Sequence, residues 1–461
     1  MIDQEHIKRI YFVGIGGIGM SALARYFNDR HVSVSGYDRT ATSLTAQLAE
    51  EGIAVHYTED TGLIDKDADL VVYTPAIPKD HAELQFYRQH HYTVLKRSEV
   101  LEAITKDSYN ICIAGTHGKT TTSTLVAHIL RNSGFGCNAF LGGIAVNYDT
   151  NFWSSQNNVC VVEADEYDRS FLKLKPDVAL ISSMDADHLD IYGTAKNMEQ
   201  AFIDFTGKLK PGGLLIYKYG LHRKDEFKAG DHLTYHLQHV QADVHAANIR
   251  INQGSYLFDV IIKGRELKDV VLNMGGMHNI ENSVAAITIA KHVGIGDEAI
   301  LKAVDAFRGV RRRFDYVIKN EHLVFIDDYA HHPQELSTLL SSVRKLFPGK
   351  KCTVIFQPHL YSRTRDFAAG FASSLDLADE IILLPVYPAR ELPIEGVNSE
   401  LIASKMSPSK VTCCSKEDTL VLLKNMSSNM PDQHVLVTAG AGDIDKMVNT
   451  IKLILEKDGG K

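Results

Sequence analysis

The chain has 461 residues, of which 44% are hydrophobic and 23% charged, with a formal net charge of -8. This length exceeds what one ordinary core organises, so two to four domains are expected, and the composition is that of a globular protein rather than a fibrous or disordered one. The negative balance argues against nonspecific binding to nucleic acid or anionic lipid, since both need a positive field.

At the N-terminus, Asp3, Glu5, Lys8 and Arg9 precede a short apolar stretch that runs straight into glycines, which is not the form of a signal peptide. Ile10 to Val13 is predicted as a strand, followed by glycines, a helix through about Arg30 and a second strand over Val32 to Ser35. A further strand is predicted over Leu70 to Tyr73, with helical stretches between and after it that end near Thr105. A buried strand over Tyr109 to Ala114 opens a second unit, in which Gly115 to Thr122 reads as a polar glycine loop and Ser123 to Asn132 as the helix that follows. Strands at Val159 to Val162 and Val178 to Ser182 come next, then a β-rich segment from about His232 to Leu272 and helices near Asn279 to Val293 and Asp297 to Phe307. A third unit begins at Leu323 to Ile326, with strands recurring at Val354 to Phe356, Ile381 to Leu384 and Val435 to Thr438. Alternation between short apolar runs and helical periods is the pattern of α/β domains with mostly parallel sheets, here divided near residues 106 and 314. No apolar run approaches membrane-spanning length. The cysteines Cys112, Cys137, Cys160, Cys352, Cys413 and Cys414 show no CxxC spacing, so free core thiols in a reduced, cytoplasmic protein are expected, without disulfides or zinc.

Two segments have the form of phosphate sites. Gly14-Ile15-Gly16-Gly17-Ile18-Gly19 lies between a predicted strand and a predicted helix. Glycines there let the backbone approach a pyrophosphate, and the helix start offers N–H groups and a favourable dipole. Asp38, about twenty residues on at the end of the second strand, suits a ribose hydroxyl. By itself this motif fits NAD, FAD or any other ligand with a diphosphate and a ribose. The second segment, Gly115-Thr116-His117-Gly118-Lys119-Thr120-Thr121-Thr122, is a shortened P-loop in which only Thr116 and His117 separate the first glycine from Gly-Lys-Thr. Backbone N–H groups suit phosphates, Lys119 the β and γ oxygens, and the Thr120 hydroxyl Mg2+. A dehydrogenase leaves the second site idle and a simple ATPase leaves the first idle; a ligase with a nucleotide-linked substrate uses both.

Acidic residues complete the pattern. Glu163, Asp165, Glu166 and Asp168 follow the strand at Val159 to Val162, and side chains at strand C-termini of an open α/β sheet face the ligand crevice. Glu163 is the expected Mg2+ carboxylate, while Glu166 and Asp168 read as solvated surface charges. Asp185-Ala186-Asp187-His188 also follows a strand and offers His188 with carboxylates for a second metal.

Taken together, Gly115-Thr116-His117-Gly118-Lys119-Thr120-Thr121, Glu163-Ala164-Asp165-Glu166 and Asp187-His188 resemble the Mur ligase family, over essentially the whole chain. The shortened loop also occurs in folylpolyglutamate synthases, so it marks a superfamily. Gly14 to Met20, Asp327-Asp328-Tyr329-Ala330-His331-His332-Pro333, and Phe356-Gln357-Pro358-His359 with Arg363-Thr364-Arg365 resemble the members that attach L-alanine to UDP-N-acetylmuramate. The resemblance implies an α/β fold of three domains: a Rossmann-like UDP-binding domain over 1–106, a central P-loop-type ATPase domain with a mostly parallel sheet over 107–313, and a C-terminal Rossmann-like, amino-acid-binding domain over 314–461. It implies an ADP-forming ligase of peptidoglycan precursor synthesis, using ATP and Mg2+ (Mn2+ substituting). The substrates are then UDP-N-acetylmuramate and L-alanine, with no nucleic-acid or membrane partner and a monomeric or homodimeric state.

Residue roles follow from the same resemblance. Gly14, Gly16, Gly17, Ile18, Gly19, Met20 and Asp38 would hold the UDP moiety, and Thr74, Ala76, Arg97 and Ser98 the UDP-sugar. Gly115, Thr116, His117, Gly118, Lys119, Thr120 and Thr121 would take ATP together with His278, Asn279, Asn282, Arg312 and Arg313. Thr120, Glu163 and His188 would hold metal, and Tyr329, His331, His359 and Arg363 would surround the amino acid. Lys119, Glu163, His188, His331 and Arg363 are the expected chemical groups, with His188 or His331 as base. Without the resemblance, Arg311, Arg312 and Arg313 read as a solvated surface run. Some family members carry a second arginine directly after the histidine matching His359; here Leu360 stands there, which leaves the carboxylate clamp to Arg363. Three rival readings are a tripeptide-recycling ligase of the same family, an NAD-dependent oxidoreductase, which leaves Gly115 to Thr122 unexplained, and a nucleotide-gated binding or scaffold protein with slow ATPase activity.

Overall fold

The computed structural model of the chain describes residues 6–187, 189–389, 391–427 and 433–458. In Arg9–Val13 (β1) every residue after Arg9 is buried, the mark of a strand covered on both faces. Its neighbours Ser33–Tyr37 (β2) and Leu70–Tyr73 (β4) are parallel to it, and Ala54–His56 (β3) and Val94–Lys96 (β5) extend the sheet in the order β3-β2-β1-β4-β5. The helices of this layer are Ile18–Asn28 (α1), Ser43–Glu50 (α2), Ala82–Gln89 (α3) and Arg97–Thr105 (α4). Met20, Leu23 and Phe27 recur along α1 at helical spacing and are buried against the sheet side with Ile10 and Phe12. The strand order reverses at β1, and a ligand crevice opens beyond the carboxyl ends of the strands at such a point.

The central sheet has ten strands. They are Tyr109–Ala114 (β6), Asn138–Ala145 (β7), Thr150–Trp153 (β8), Val159–Glu163 (β9), Val178–Ile181 (β10), Leu214–Lys218 (β11), Asp231–His236 (β12), Val244–Asn252 (β13), Ser255–Ile262 (β14) and Arg265–Leu272 (β15). The order β15-β14-β13-β12-β11-β10-β6-β9-β7-β8 puts its reversal at β6, whose end leads into the shortened P-loop and Lys119–Asn132 (α5). Helices Leu189–Tyr192 (α6), Ala195–Thr206 (α7), Met277–His292 (α8) and Asp297–Ala306 (α9) follow. The glycine loop is shorter than its polar sequence suggests, because Lys119 to Thr122 already form the first turn of α5. Asn138–Ala145 and Thr150–Trp153 pair as an antiparallel hairpin that the sequence reading lacked. A glycine pair weakens strand propensity in the first arm, and the second is only four residues long.

The third sheet has the order β16-β17-β21-β18-β19-β20, from Asp315–Lys319 (β16), Leu323–Asp328 (β17), Lys351–Phe356 (β18), Glu380–Leu383 (β19), Val411–Cys413 (β20) and His434–Ala439 (β21). All neighbours are parallel except β16 with β17, an antiparallel edge pair that begins directly after the arginine run and was not foreseen. Its helices are Pro333–Leu346 (α10), Tyr361–Leu375 (α11), Ser399–Ala403 (α12), Lys416–Ser427 (α13) and Asp445–Asp458 (α14). The chain forms two compact units: 1–247 with 259–270 and 281–307, and 248–258 with 271–280 and 308–461. All six cysteines are free, four of them buried. Among the described residues, no helix is long and apolar enough to cross a membrane.

Candidate active site

In the first unit the shortened P-loop turns back on itself through side chains. Gly118 has φ +79°, the left-handed region that glycine reaches without strain, and a β-carbon there would lie 2.6 Å from Asn282 Oδ1 on α8. His117 N–H donates to Ser183 Oγ at 2.9 Å, and Asp185 N–H donates to Thr116 Oγ1 at 3.2 Å. His117 Nε2 lies 3.5 Å from Asp185 Oδ2, both exposed. The Lys119 ammonium donates to Gly115 O at 2.7 Å and to Glu166 Oε1 at 2.8 Å. Glu166 is therefore not the solvated surface charge expected from its polar surroundings: it is fully buried, and the lysine pairs it. Its backbone carbonyl also accepts from Tyr192 Oη at 2.6 Å. Asp168 is exposed as expected, 3.8 Å from Lys96. Thr121 is buried in the first turn of α5.

Beside the loop, Thr120 Oγ1 donates to Glu163 Oε1 at 3.0 Å, and Gly142 N–H on β7 donates to Glu163 Oε2 at 3.0 Å. Glu163 also borders a cavity of about 290 Å3 between the start of α1 and the end of β9. Gly17, Ile18, Gly19 and Met20 line it from α1, Thr74 and Ala76 from the end of β4, and Arg97 and Ser98 from the start of α4, with Asp165 and Asp168 opposite. Arg97 Nη2 is 3.9 Å from Asp165 Oδ2 across this space. Gly14, Gly16 and Asp38 are not in the lining. The Gly14 and Ile15 N–H groups donate to Tyr37 O at 2.8 and 2.9 Å, and Gly16 N–H donates to Asp38 Oδ2 at 2.8 Å. Asp38 thus ties down the glycine turn, and the face left toward the cavity is the first turn of α1. His188 lies outside the described residues. Among the described residues no cluster of three or more His, Cys, Asp or Glu side chains has the form of a metal site.

The second unit gathers its own set at the carboxyl ends of β17, β18 and β19. His331 Nδ1 lies 2.9 Å from Tyr329 O, and a carbonyl only accepts, so Nδ1 donates there. The His331 and His359 rings are 6.2 Å apart, and His359 stacks on Tyr387 at 5.7 Å. Burial first, then the neighbouring Arg363 and His331, hold the His359 imidazole below its ordinary value. His359 Nδ1 and Arg363 Nη1 are buried polar atoms with no hydrogen-bond partner among the described residues. Leu360 has φ +69° ahead of α11. Arg312 does not belong to a solvated run: its guanidinium lies 4.9 Å over the Tyr329 ring and 3.6 Å from Asp327, and it donates to Gly440 O. Arg311 and Arg313 are exposed. His278 is exposed, and Asn279 Nδ2 donates to Gly275 O at 2.7 Å.

Several groups at these sites were missed in the sequence. Gly142 and Asn151 lie on the unforeseen hairpin, Ser183 follows a strand without a recognised motif, and Tyr387 comes from a loop. The one usable signal was the Gly142-Gly143 pair, since glycine within a strand marks the close approach of another group.

Residues 9–109 match the model described as Mur ligase family, catalytic domain; residues 113–290 match the Mur ligase middle domain, and 312–442 the Mur ligase, glutamate ligase domain. The chain is 46% identical over 469 residues to a UDP-N-acetylmuramate–L-alanine ligase of Cytophaga hutchinsonii, covering 100% of this chain and 99% of that relative. It is likewise 46% identical over 467 residues to the enzyme of that name from Flavobacterium johnsoniae, covering 99% and 100%. Among solved structures, the UDP-N-acetylmuramate-alanine ligase of Thermotoga maritima superposes with a TM-score of 0.82 at 27% identity, over 99% of this chain and 100% of that one. With three consecutive domain matches and full-length relatives of this kind, the chain belongs to the Mur ligase family.

Proposed function

We propose that this protein is an ATP-dependent ligase that joins L-alanine to the lactyl carboxylate of UDP-N-acetylmuramate in peptidoglycan precursor synthesis. The observation that carries the reading is the 290 Å3 cavity in which the glycine-rich start of α1 faces Glu163, the carboxylate held by the P-loop residue Thr120. A UDP-linked acid held at α1 then presents its carboxylate where the γ-phosphate of ATP lies.

The lactyl carboxylate attacks the γ-phosphorus, the bond to the β-γ bridging oxygen breaks, and ADP leaves with an acyl phosphate formed. Lys119 must exchange Glu166 for phosphate oxygens, which places its charge where negative charge spreads in the transition state. Thr120 Oγ1 and Glu163 Oε1, 3.0 Å apart, are hard oxygen donors of the kind Mg2+ takes while keeping several waters. Bound there, the ion neutralises phosphate charge. The alanine amine, once neutral, attacks the acyl carbon, and phosphate leaves. His331 Nε2 suits acceptance of the amine proton, and His359 Nδ1 and Arg363 Nη1, which have no partner among the described residues, suit the amino-acid carboxylate. Arg312 and Arg313, with His278, Asn279 and Asn282, are assigned to the nucleotide.

The test is phosphate release from ATP and Mg2+ with UDP-N-acetylmuramate, adding amino acids one at a time. Release that needs both the UDP-sugar and L-alanine, with a product of matching mass, is expected. Release triggered instead by L-alanyl-γ-D-glutamyl-meso-diaminopimelate, with none from alanine, overturns the assignment.

A further inference from the structure

The β7–β8 hairpin touches both halves of the site just described. On one arm, Gly142 N–H holds Glu163 Oε2, and β7 is paired to β9 through Ala139 with Val161 and Phe140 with Val162. On the other arm stands Asn151, whose side chain is fully buried. Its Nδ2 donates to Ile18 O at 2.6 Å and to Ser21 Oγ at 3.0 Å, and its Oδ1 accepts from Arg25 Nη1. Residues 18, 21 and 25 are three and four apart, so they lie on one face of α1. A single carboxamide therefore grips that helix at three points with both its donors and its acceptor in use. Arg25 is in turn fixed by Glu51, with Nε to Oε2 at 2.8 Å and Nη2 to Oε1 at 2.7 Å. Tyr26 of the same helix packs on Phe140 and Phe152 of the hairpin, with ring centres 5.6 and 5.9 Å apart.

Ile18, Gly142 and Glu163 all line the cavity. The hairpin is thus a bracket: one arm sets the carboxylate at the ATP side, the other sets the helix start at the UDP side. We infer that Asn151 is a positioning residue for ligation, fixing the start of α1 relative to Glu163 so that the acceptor carboxylate meets the γ-phosphate. The inference rests on the assignment of the two sites made above. Reacting atoms must meet at about 3–3.5 Å, and a shift of about 1 Å in their positioning costs up to about 100-fold in rate.

The decisive variant is Asn151→Asp, which keeps shape and the Arg25 contact but has no N–H to offer Ile18 O. Steady-state kinetics with UDP-N-acetylmuramate, ATP and L-alanine should show kcat lowered by about tenfold or more, with the KM for ATP unchanged because the P-loop lies wholly in the central domain. Ser21→Ala, which removes one acceptor at no change of charge, should lower kcat by about two- to fivefold in the same pattern. Gln47→Ala removes an exposed bond from α2 to Asp149 in the hairpin turn and should leave all constants as they are. Wild-type kcat in Asn151→Asp overturns the inference, for Asn151 is then only a partner for a buried arginine. If Asn151→Asp does not fold, Ser21→Ala decides, and an unchanged kcat there overturns it equally. Failure of the unaltered protein to form the alanyl product would instead strike the functional reading.

Discussion

Asp327, Asp328 and Asp315 are carboxyls of the second unit whose burial, before any other influence, pushes them above the ordinary aspartate range, Asp327 to about 7 and the other two to about 6. Asp327 accepts from Thr438 Oγ1 at 2.7 Å and faces Arg312, and Asp328 accepts from the Phe314 and Ala330 N–H groups at 2.7 and 2.8 Å. These contacts lower the values but do not offset the loss of water. With folded values above unfolded ones, the native state binds more protons than the unfolded chain between about pH 4 and 7, so this contribution to stability falls as pH rises through that window. Thermal unfolding followed from pH 5 to 8 should show the second unit losing stability toward pH 8, and Asp327→Asn should flatten the dependence. An unchanged slope in Asp327→Asn would remove Asp327 as its source. The identity of these acids was plain in the sequence, but their burial was not. The same holds for Glu166, which looks like its solvated neighbours in the sequence and is instead sealed against Lys119.

At the scale of elements, the strand-loop-helix unit of β6, the P-loop and α5 was legible because apolar period, glycines and helix follow one another within a few residues. The β7–β8 hairpin was not, and it carries much of the site. A β-carbon on Gly142 would lie 2.2 Å from Glu163 Oε2, well inside contact distance, and neighbouring atoms include both other atoms of the carboxylate. Gly142→Ala should therefore turn Glu163 out of its place beside Thr120. The expected result is a kcat lower by about 10- to 100-fold and a higher half-saturating Mg2+ concentration, measured in the phosphate-release assay with Mg2+ varied. Normal turnover at low Mg2+ in this variant would show that Glu163 moves without consequence and is not the metal carboxylate.

Of the large clusters of the molecule, one joins two layers within the first unit, from Ile10, Phe12 and Leu23 of the first sheet layer to Cys112, Cys160 and Phe202 of the central one. A shared core of this kind is expected to couple the two layers on unfolding. Cysteines report on it directly. Cys112, Cys137, Cys160 and Cys352 are buried, with burial pushing the thiols of Cys137 and Cys352 up to about 12, while Cys413 and Cys414 are partly exposed. In a thiol-labelling titration of the native protein, Cys413 and Cys414 alone should react readily. With rising denaturant, Cys112 and Cys160 should become reactive in one step. Separate midpoints for these two would mean that the core of the central sheet opens in parts.

Sequence by itself determined the α/β class and the two strand–glycine loop–helix units, because each rests on residues close together in the chain whose local period and spacing set the backbone. Only the tertiary structure decided that Asp38 ties down its glycine turn, that Glu166 is buried on Lys119, that Arg312 turns inward onto Tyr329, and that Asn151 reaches α1. Each of these depends on partners from 17 to 133 positions away, and burial at that range is set by the packing of whole layers rather than by the composition of any one segment.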